Sequence, residues 1–121
     1  MGWKFESGVS LSVQIVNRLR ADILRGDYTQ GEPFPTVRQL AYEAGVNPNT
    51  MQKALSLLED EGLIIAKSTA GRVVTSNNEA IMAARQKAHE GFAKDIISEA
   101  KRLSFDKIEL IKYIEEGWIN G

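Results

Sequence analysis

Apolar positions recur every third or fourth residue through five stretches of this chain, and gather into short unbroken runs near its middle. Ile15, Leu19 and Ile23 mark a first helical stripe. Ser10 and Ser12 are candidate N-caps for it, and Gly26 is its stop. Gly31, Pro33 and Pro35 then exclude regular structure from the loop that follows. Thr36 and Gln39 fit a capping box that opens a second, short helix, whose buried positions are Val37, Leu40, Ala41 and Ala44. Gly45 ends it. Asn47 caps a third helix with Pro48 at its first position, where a missing N–H costs nothing. Met51, Ala54, Leu55 and Leu58 form its apolar face, and Gly62 stops it.

Residues 63–67 and 72–75, rich in Ile and Val, predict two short strands joined by a turn at 68–71. The hairpin is expected to bury Ile64, Ile65, Val73 and Val74. Polar residues 76–78 break the pattern, and the domain boundary is placed there: 1–76 and 77–121. A long helix over about 79–103 follows. Its face comprises Ile81, Ala84, Ala88, Phe92, Ile96, Ala100 and Leu103. Ser104 breaks it and is expected to cap a last helix over about 105–116, with Ile108, Leu110, Ile111 and Ile114 apolar. The fold class is therefore mainly α with a small β-hairpin: an N-terminal winged helix-turn-helix and a C-terminal two-helix tail. Trp3 and Phe5 precede the first helix as an aromatic pair able to pin the N-terminal arm to the domain.

Composition removes several functions. With no cysteine, disulfides, thiolate metal sites and cysteine nucleophiles are excluded. His89 is the only histidine, so no metal site is expected and His89 reads as surface. No phosphate-binding glycine loop and no nucleophile–base pair is found, so neither catalysis nor a cofactor is expected. No apolar run is long enough for a bilayer and no leader pattern stands at the N-terminus, which makes the cytoplasm the expected location. The formal net charge is −1. Residues 1–76 carry eight Lys or Arg and eight Asp or Glu. A nucleic-acid reading must therefore rest on where the cations sit rather than on their number.

Two short helices joined across Gly45 and Val46 form a helix-turn-helix pattern. Ala41, Ala44 and Ala54 are the small side chains that a steep crossing needs. The outward face of the third helix carries Asn49, Thr50, Gln52, Lys53 and Ser56, all polar and mostly short, as docking in a major groove requires. A merely solvated face would alternate Glu and Lys. Here the acids Glu59, Asp60 and Glu61 stand at the far end. Backbone N–H groups at the start of this helix are expected to favour a phosphate. Lys67 and Arg72 flank the hairpin turn and are candidate contacts for phosphates or the minor groove. A winged helix that binds protein instead would show apolar residues on the outward face.

Residues 12–75 resemble the DNA-binding domain of GntR-family transcription regulators. The resemblance is carried by Gln14-Ile15, by Ile23-Leu24-Arg25-Gly26 with Gly31, by the 35–41 run Pro-Thr-Val-Arg-Gln-Leu-Ala, by the 45–50 run Gly-Val-Asn-Pro-Asn-Thr, and by the 58–64 run Leu-Glu-Asp-Glu-Gly-Leu-Ile. The Asn-Pro-Asn-Thr run, the aromatic arm and the short tail resemble the YtrA-like branch, which implies a dimerising tail and control of transport or cell-envelope genes. The resemblance implies DNA contacts by Arg38, Asn47, Asn49, Thr50, Gln52, Lys53 and Gly71, and Pro48, Thr69, Lys67 and Arg72 complete the set of candidate DNA-binding residues. Pro48 and Gln52 stand where many relatives have basic residues, and Thr69 and Ala70 depart from the usual wing.

One winged helix spans few base pairs, so two half-sites and a homodimer are expected, on double-stranded operator DNA. The apolar face of the long helix, with Ile111 and Ile114 of the last helix, is the expected dimerisation surface, and Tyr113 and Trp118 are candidates to fill gaps in it. No membrane partner is expected, and a small-molecule effector is left open, with the clefts beside the tail as its expected place.

Overall fold

The computed structural model describes residues 2–67 and 71–121. The elements are α1 (Leu11–Arg25), α2 (Val37–Ala44), α3 (Pro48–Asp60), β1 (Ile64–Lys67), β2 (Gly71–Val74), α4 (Asn78–Arg102) and α5 (Lys107–Asn120). The expected turn residues Ser68, Thr69 and Ala70 lie outside the described residues. Contacts divide the chain into two compact units, Met1–Arg85 and Gln86–Gly121.

In the first unit, the stripes converge on one core. Ile15 and Leu19 of α1, Leu40 of α2, Met51, Leu55 and Leu58 of α3, and Leu63, Ile64 and Val74 of the hairpin region are buried there. Burying each such side chain contributes about 1.5–3 kcal/mol before entropy is counted. α3 is the central element, packed on α1, α2 and β1. Ser10 caps α1, and Gly26 closes it in the left-handed conformation (φ 88°). Ser12, the other candidate cap, is buried and its hydroxyl lies 3.0 Å from that of Ser10.

The hairpin is antiparallel, with Ile64 opposite Val74 and Lys67 opposite Gly71. Ile65 is exposed and Val73 half-buried, so the hairpin buries only one of its faces, as an antiparallel ribbon over a core does. The preceding loop adds what the sequence pattern did not suggest. Gly31 N–H donates to the Val74 carbonyl at 2.8 Å, Val74 N–H to Glu32 at 3.1 Å, and Phe34 N–H to Arg72 at 2.8 Å. Pro33 thus bridges Val73 on the outer edge of β2. Proline fits an edge because it need not donate there. Phe34 is buried from this position, its ring 4.7 Å from that of Tyr28.

The expected boundary after residue 76 falls inside the first unit. The polar residues that suggested a linker are a helix cap: Asn77 Oδ1 accepts from the N–H of Glu79 at 3.0 Å. The first turns of α4 then belong to the N-terminal unit. Ile81 and Ala84 pack against its core, and Arg85 Nη2 donates to the Leu24 carbonyl at 2.6 Å, satisfying an end of α1. Ile81 and Ala84 are thereby removed from the expected dimerisation face.

The N-terminal arm is held as well. Trp3 N–H donates to the Ala44 carbonyl at 3.1 Å, at the end of α2, and the Arg18 guanidinium stacks 4.0 Å from the Trp3 ring centroid. Gln14 bonds both the N–H and the carbonyl of Glu6, at 2.8 and 3.1 Å.

In the second unit, α4 ends when Phe105 N–H reaches back to the Ala100 carbonyl at 2.9 Å and Ser104 turns left-handed (φ 64°). Ser104 ends α4 without capping the next helix. Asp106 caps α5 in a reciprocal box with Glu109, so α5 starts at Lys107 rather than near 105 and runs on to Asn120. Ala100 is buried and Ile96 half-buried, while Ala88, Phe92, Leu103, Ile111 and Ile114 are exposed in the single chain. Because only glycine adopts the left-handed conformation without steric cost, Ser104→Gly should stabilise this unit by about 0.5–1 kcal/mol in urea denaturation. An unchanged or lowered midpoint would count against the turn geometry.

Candidate nucleic-acid interface

The site is built on the back of α3. Met51, Ala54, Leu55 and Leu58 fix one side of that helix in the core at 0% exposure, which leaves the opposite side no choice but solvent. Asn49, Gln52 and Lys53 are exposed there, and Thr50 and Ser56 half-buried. Gln52 Nε2 donates to Ser56 Oγ at 3.2 Å, so the amide of this exposed residue is tethered along the helix. Such an amide offers an acceptor and a second donor, the pair that matches the exposed edge of an adenine.

The turn that sets α3 against α2 has the expected chemistry. Gly45 is left-handed at φ 73°, and Val46 N–H reaches the Ala41 carbonyl at 3.1 Å, closing α2. Ala41, Ala44 and Ala54 are buried at the crossing. Thr36 and Gln39 make both bonds of the capping box at the other end, at 2.8 and 3.1 Å. Arg38 is exposed on the first turn of α2.

The start of α3 differs from expectation. Asn47 Oδ1 accepts from Asn49 N–H at 2.7 Å, and the Asn47 carbonyl accepts from Thr50 and Met51 at 3.0 and 3.1 Å. Pro48 has no N–H to give. The first-turn donors are thus already satisfied, and an anion near this end would feel the helix dipole rather than free N–H groups. Asn47 is first a cap, its Oδ1 engaged by the Asn49 N–H.

The cations divide into two kinds. Among the described residues, Arg38, Lys53 and Lys67 are in no ion pair, whereas Arg72 Nε donates to Glu59 Oε1 at 2.6 Å. Lys67 and Gly71 face each other at the end of the hairpin, Gly71 at φ 72°. Thr69 lies outside the described residues. Glu61 engages Arg20 of α1 through two bonds, at 2.8 and 2.7 Å, and this pairing raises the arginine's pKa further above its ordinary value. Arg38 and Arg72 line one cleft of about 310 Å³ with Phe34, Pro35, Thr36 and Val37. Sequence reasoning assigned no partner to the acids at the end of α3. The signal was present, since three consecutive carboxylates beside a core call for cations.

Among the described residues there is no cluster of His, Asp or Glu that could hold a metal ion, and no helix long and apolar enough to cross a membrane.

Comparison with known proteins places this geometry. Residues 11–74 match the family described as bacterial regulatory proteins, gntR family. The chain is 32% identical over 117 residues to the HTH-type transcriptional repressor YtrA of Bacillus subtilis, covering 93% of this chain and 84% of that one. A solved GntR family transcriptional regulator from Listeria monocytogenes superposes with a TM-score of 0.85 at 27% identity, covering 93% of this chain and 98% of that one. The DNA-binding domain of AraR, solved in complex with its operator ORX1, shares the fold at a TM-score of 0.53 and 23% identity, over 60% of this chain and 93% of that one. These relatives are regulators of transcription, not enzymes. The chain belongs to the GntR family of bacterial regulatory proteins, on its YtrA-like branch, and carries that family's DNA-binding domain.

Proposed function

We propose that this regulator is a homodimeric repressor acting in the cytoplasm on a palindromic operator, with α3 of each protomer in the major groove of one half-site. The observation that carries the reading is the two-sided character of α3. Its core side is fully buried, and the first turns of its free side form a ridge of mostly short polar groups on which Lys53 is the one cation. Arg38 and Lys67, exposed and in no ion pair among the described residues, supply further cations for phosphates. Repression is supported by the name of the Bacillus relative, and control of transport or cell-envelope genes by the branch it resembles. Dimerisation is supported by the large apolar side chains exposed in the second unit, among them Phe92 at 67% and Trp118 at 84%.

Footprinting upstream of the protein's own gene would give the site, its symmetry and its spacing together. Light scattering should return twice the 13.4 kDa chain mass at tens of micromolar. On the footprinted duplex, Arg38→Ala should weaken binding to every sequence and reduce the slope of log affinity against log salt by about 0.9 per half-site, about 1.8 for the dimer. Gln52→Ala should relax base preference, costing about 1–3 kcal/mol on the best site and little elsewhere. If both variants kept full operator affinity, this face would not be the DNA contact.

A further inference from the structure

The acids at the end of α3 hold two arginines in different ways. Glu61 takes Arg20 through both Nε and Nη2, the complete fork that occupies one edge of a guanidinium. Glu59 takes Arg72 through Nε alone, at 2.6 Å. A guanidinium carries five N–H donors in one plane, so engagement at Nε leaves the terminal amino groups available. Glu59 also stands seven residues after Gln52 and three after Ser56, which puts it on the same helical stripe as the polar ridge. The pair therefore joins the ridge of α3 to the second residue of β2. Side-chain exposures of 19% for Arg72 and 36% for Glu59 mean that solvent screens this pair less than an open surface pair. The held side chain has already lost rotamer freedom before any ligand arrives. Its place beside Arg38 in the same cleft brings two cations to one spot.

We propose that Glu59 is a positioning residue for DNA binding: it fixes the Arg72 guanidinium in the cleft beside Arg38, with terminal amino groups free to meet a backbone phosphate of a correctly seated duplex. This rests on the DNA-binding reading above. A held arginine meets a phosphate only when α3 is in register with the bases, because Glu59 belongs to α3 itself. A free one would meet phosphates in any register. Glu59 thus ties a sequence-blind contact to a sequence-reading helix and trades general affinity for selectivity.

The test is fluorescence anisotropy with the full chain on the footprinted duplex and on a scrambled duplex of equal length, across a salt series. Wild type, Glu59→Gln, Arg72→Ala and the double variant are compared, with thermal melts to confirm equal folding. Glu59→Gln should lose about tenfold on the footprinted duplex and change by less than about threefold on the scrambled one. In the Arg72→Ala background, Glu59→Gln should add nothing, since its action runs through that arginine. Tighter binding by Glu59→Gln to both duplexes, with a salt slope steeper by about 0.9 per protomer, about 1.8 for the dimer, would show that the carboxylate sequesters Arg72 instead and would overturn the proposal. An equal effect of Glu59→Gln with and without Arg72 would overturn it too. Failure of the wild type to prefer the footprinted duplex would remove the DNA-binding reading itself, a result distinct from either.

Discussion

Leu55→Ala should destabilise the N-terminal unit by about 2–5 kcal/mol and abolish DNA binding near its new, lower melting temperature. Leu55 is at 0% exposure on the helix that packs on α1, α2 and β1 at once. Elements on several sides restrain one another, so the walls of the site have little room to collapse into the void. The loss therefore combines transfer energy with a residual cavity. Against a total of about 5–15 kcal/mol for an ordinary domain, that is a large fraction. The informative comparison is with Gln52→Ala, three residues earlier on the same helix, whose side chain is exposed rather than buried. That variant should leave the urea midpoint within about 0.5 kcal/mol of wild type while changing base preference. One helix would then yield two separable phenotypes, stability from one face and specificity from the other. A Leu55→Ala cost below about 1 kcal/mol would mean that α3 is not clamped as described.

A chain ending at residue 85 should fold and melt like the N-terminal unit of the whole protein, whereas a chain ending at residue 76 should not. The shorter piece lacks Ile81 and Ala84, which cover the core, and Arg85, whose guanidinium satisfies the Leu24 carbonyl at 2.6 Å. It also lacks Asn78, whose Oδ1 accepts from Gln30 Nε2 at 3.0 Å, and Asn77, the cap of α4. Losing part of the cover from an apolar core, together with such polar contacts, should cost about 2–4 kcal/mol. The 1–85 chain, although folded, should bind the operator about 10²–10⁴-fold more weakly than the full chain, since the second half-site contact is no longer intramolecular. Equal melting of the two pieces would return the boundary to the polar break. Undiminished operator affinity of 1–85 would argue that the tail does not dimerise.

Much of this was legible in the residues because local chemistry decided it. Thr36 with Gln39, Asn47 with Pro48, and Gly26 and Gly45 each have one economical use, and the structure puts them to it. The apolar periods gave the buried faces of α1, α2 and α3 for the same reason. What escaped was set by partners distant in sequence. A period of three and four says that Ile81 and Ala84 are covered, but not by what, so they read as continuous with Phe92 and Leu103. Proline at 33 and 35 excluded a helix correctly but hid an edge pairing that needs no donor from Pro33. Asn77 looked like linker because a cap and a loop draw on the same amino acids. Arg72 looked like a free cation because nothing local reveals a carboxylate thirteen residues away on another element.

The central claim is that the polar side of α3 lies against base pairs. The chain contains no cysteine, so Gln52→Cys can carry a short photoactivatable crosslinker at that position alone. Irradiation with the footprinted duplex should attach the label to bases at two symmetric positions about one helical turn apart, while the same label at Ala21→Cys, on the exposed side of α1, attaches to neither. Equal labelling from both positions, or crosslinks confined to protein, would contradict the account.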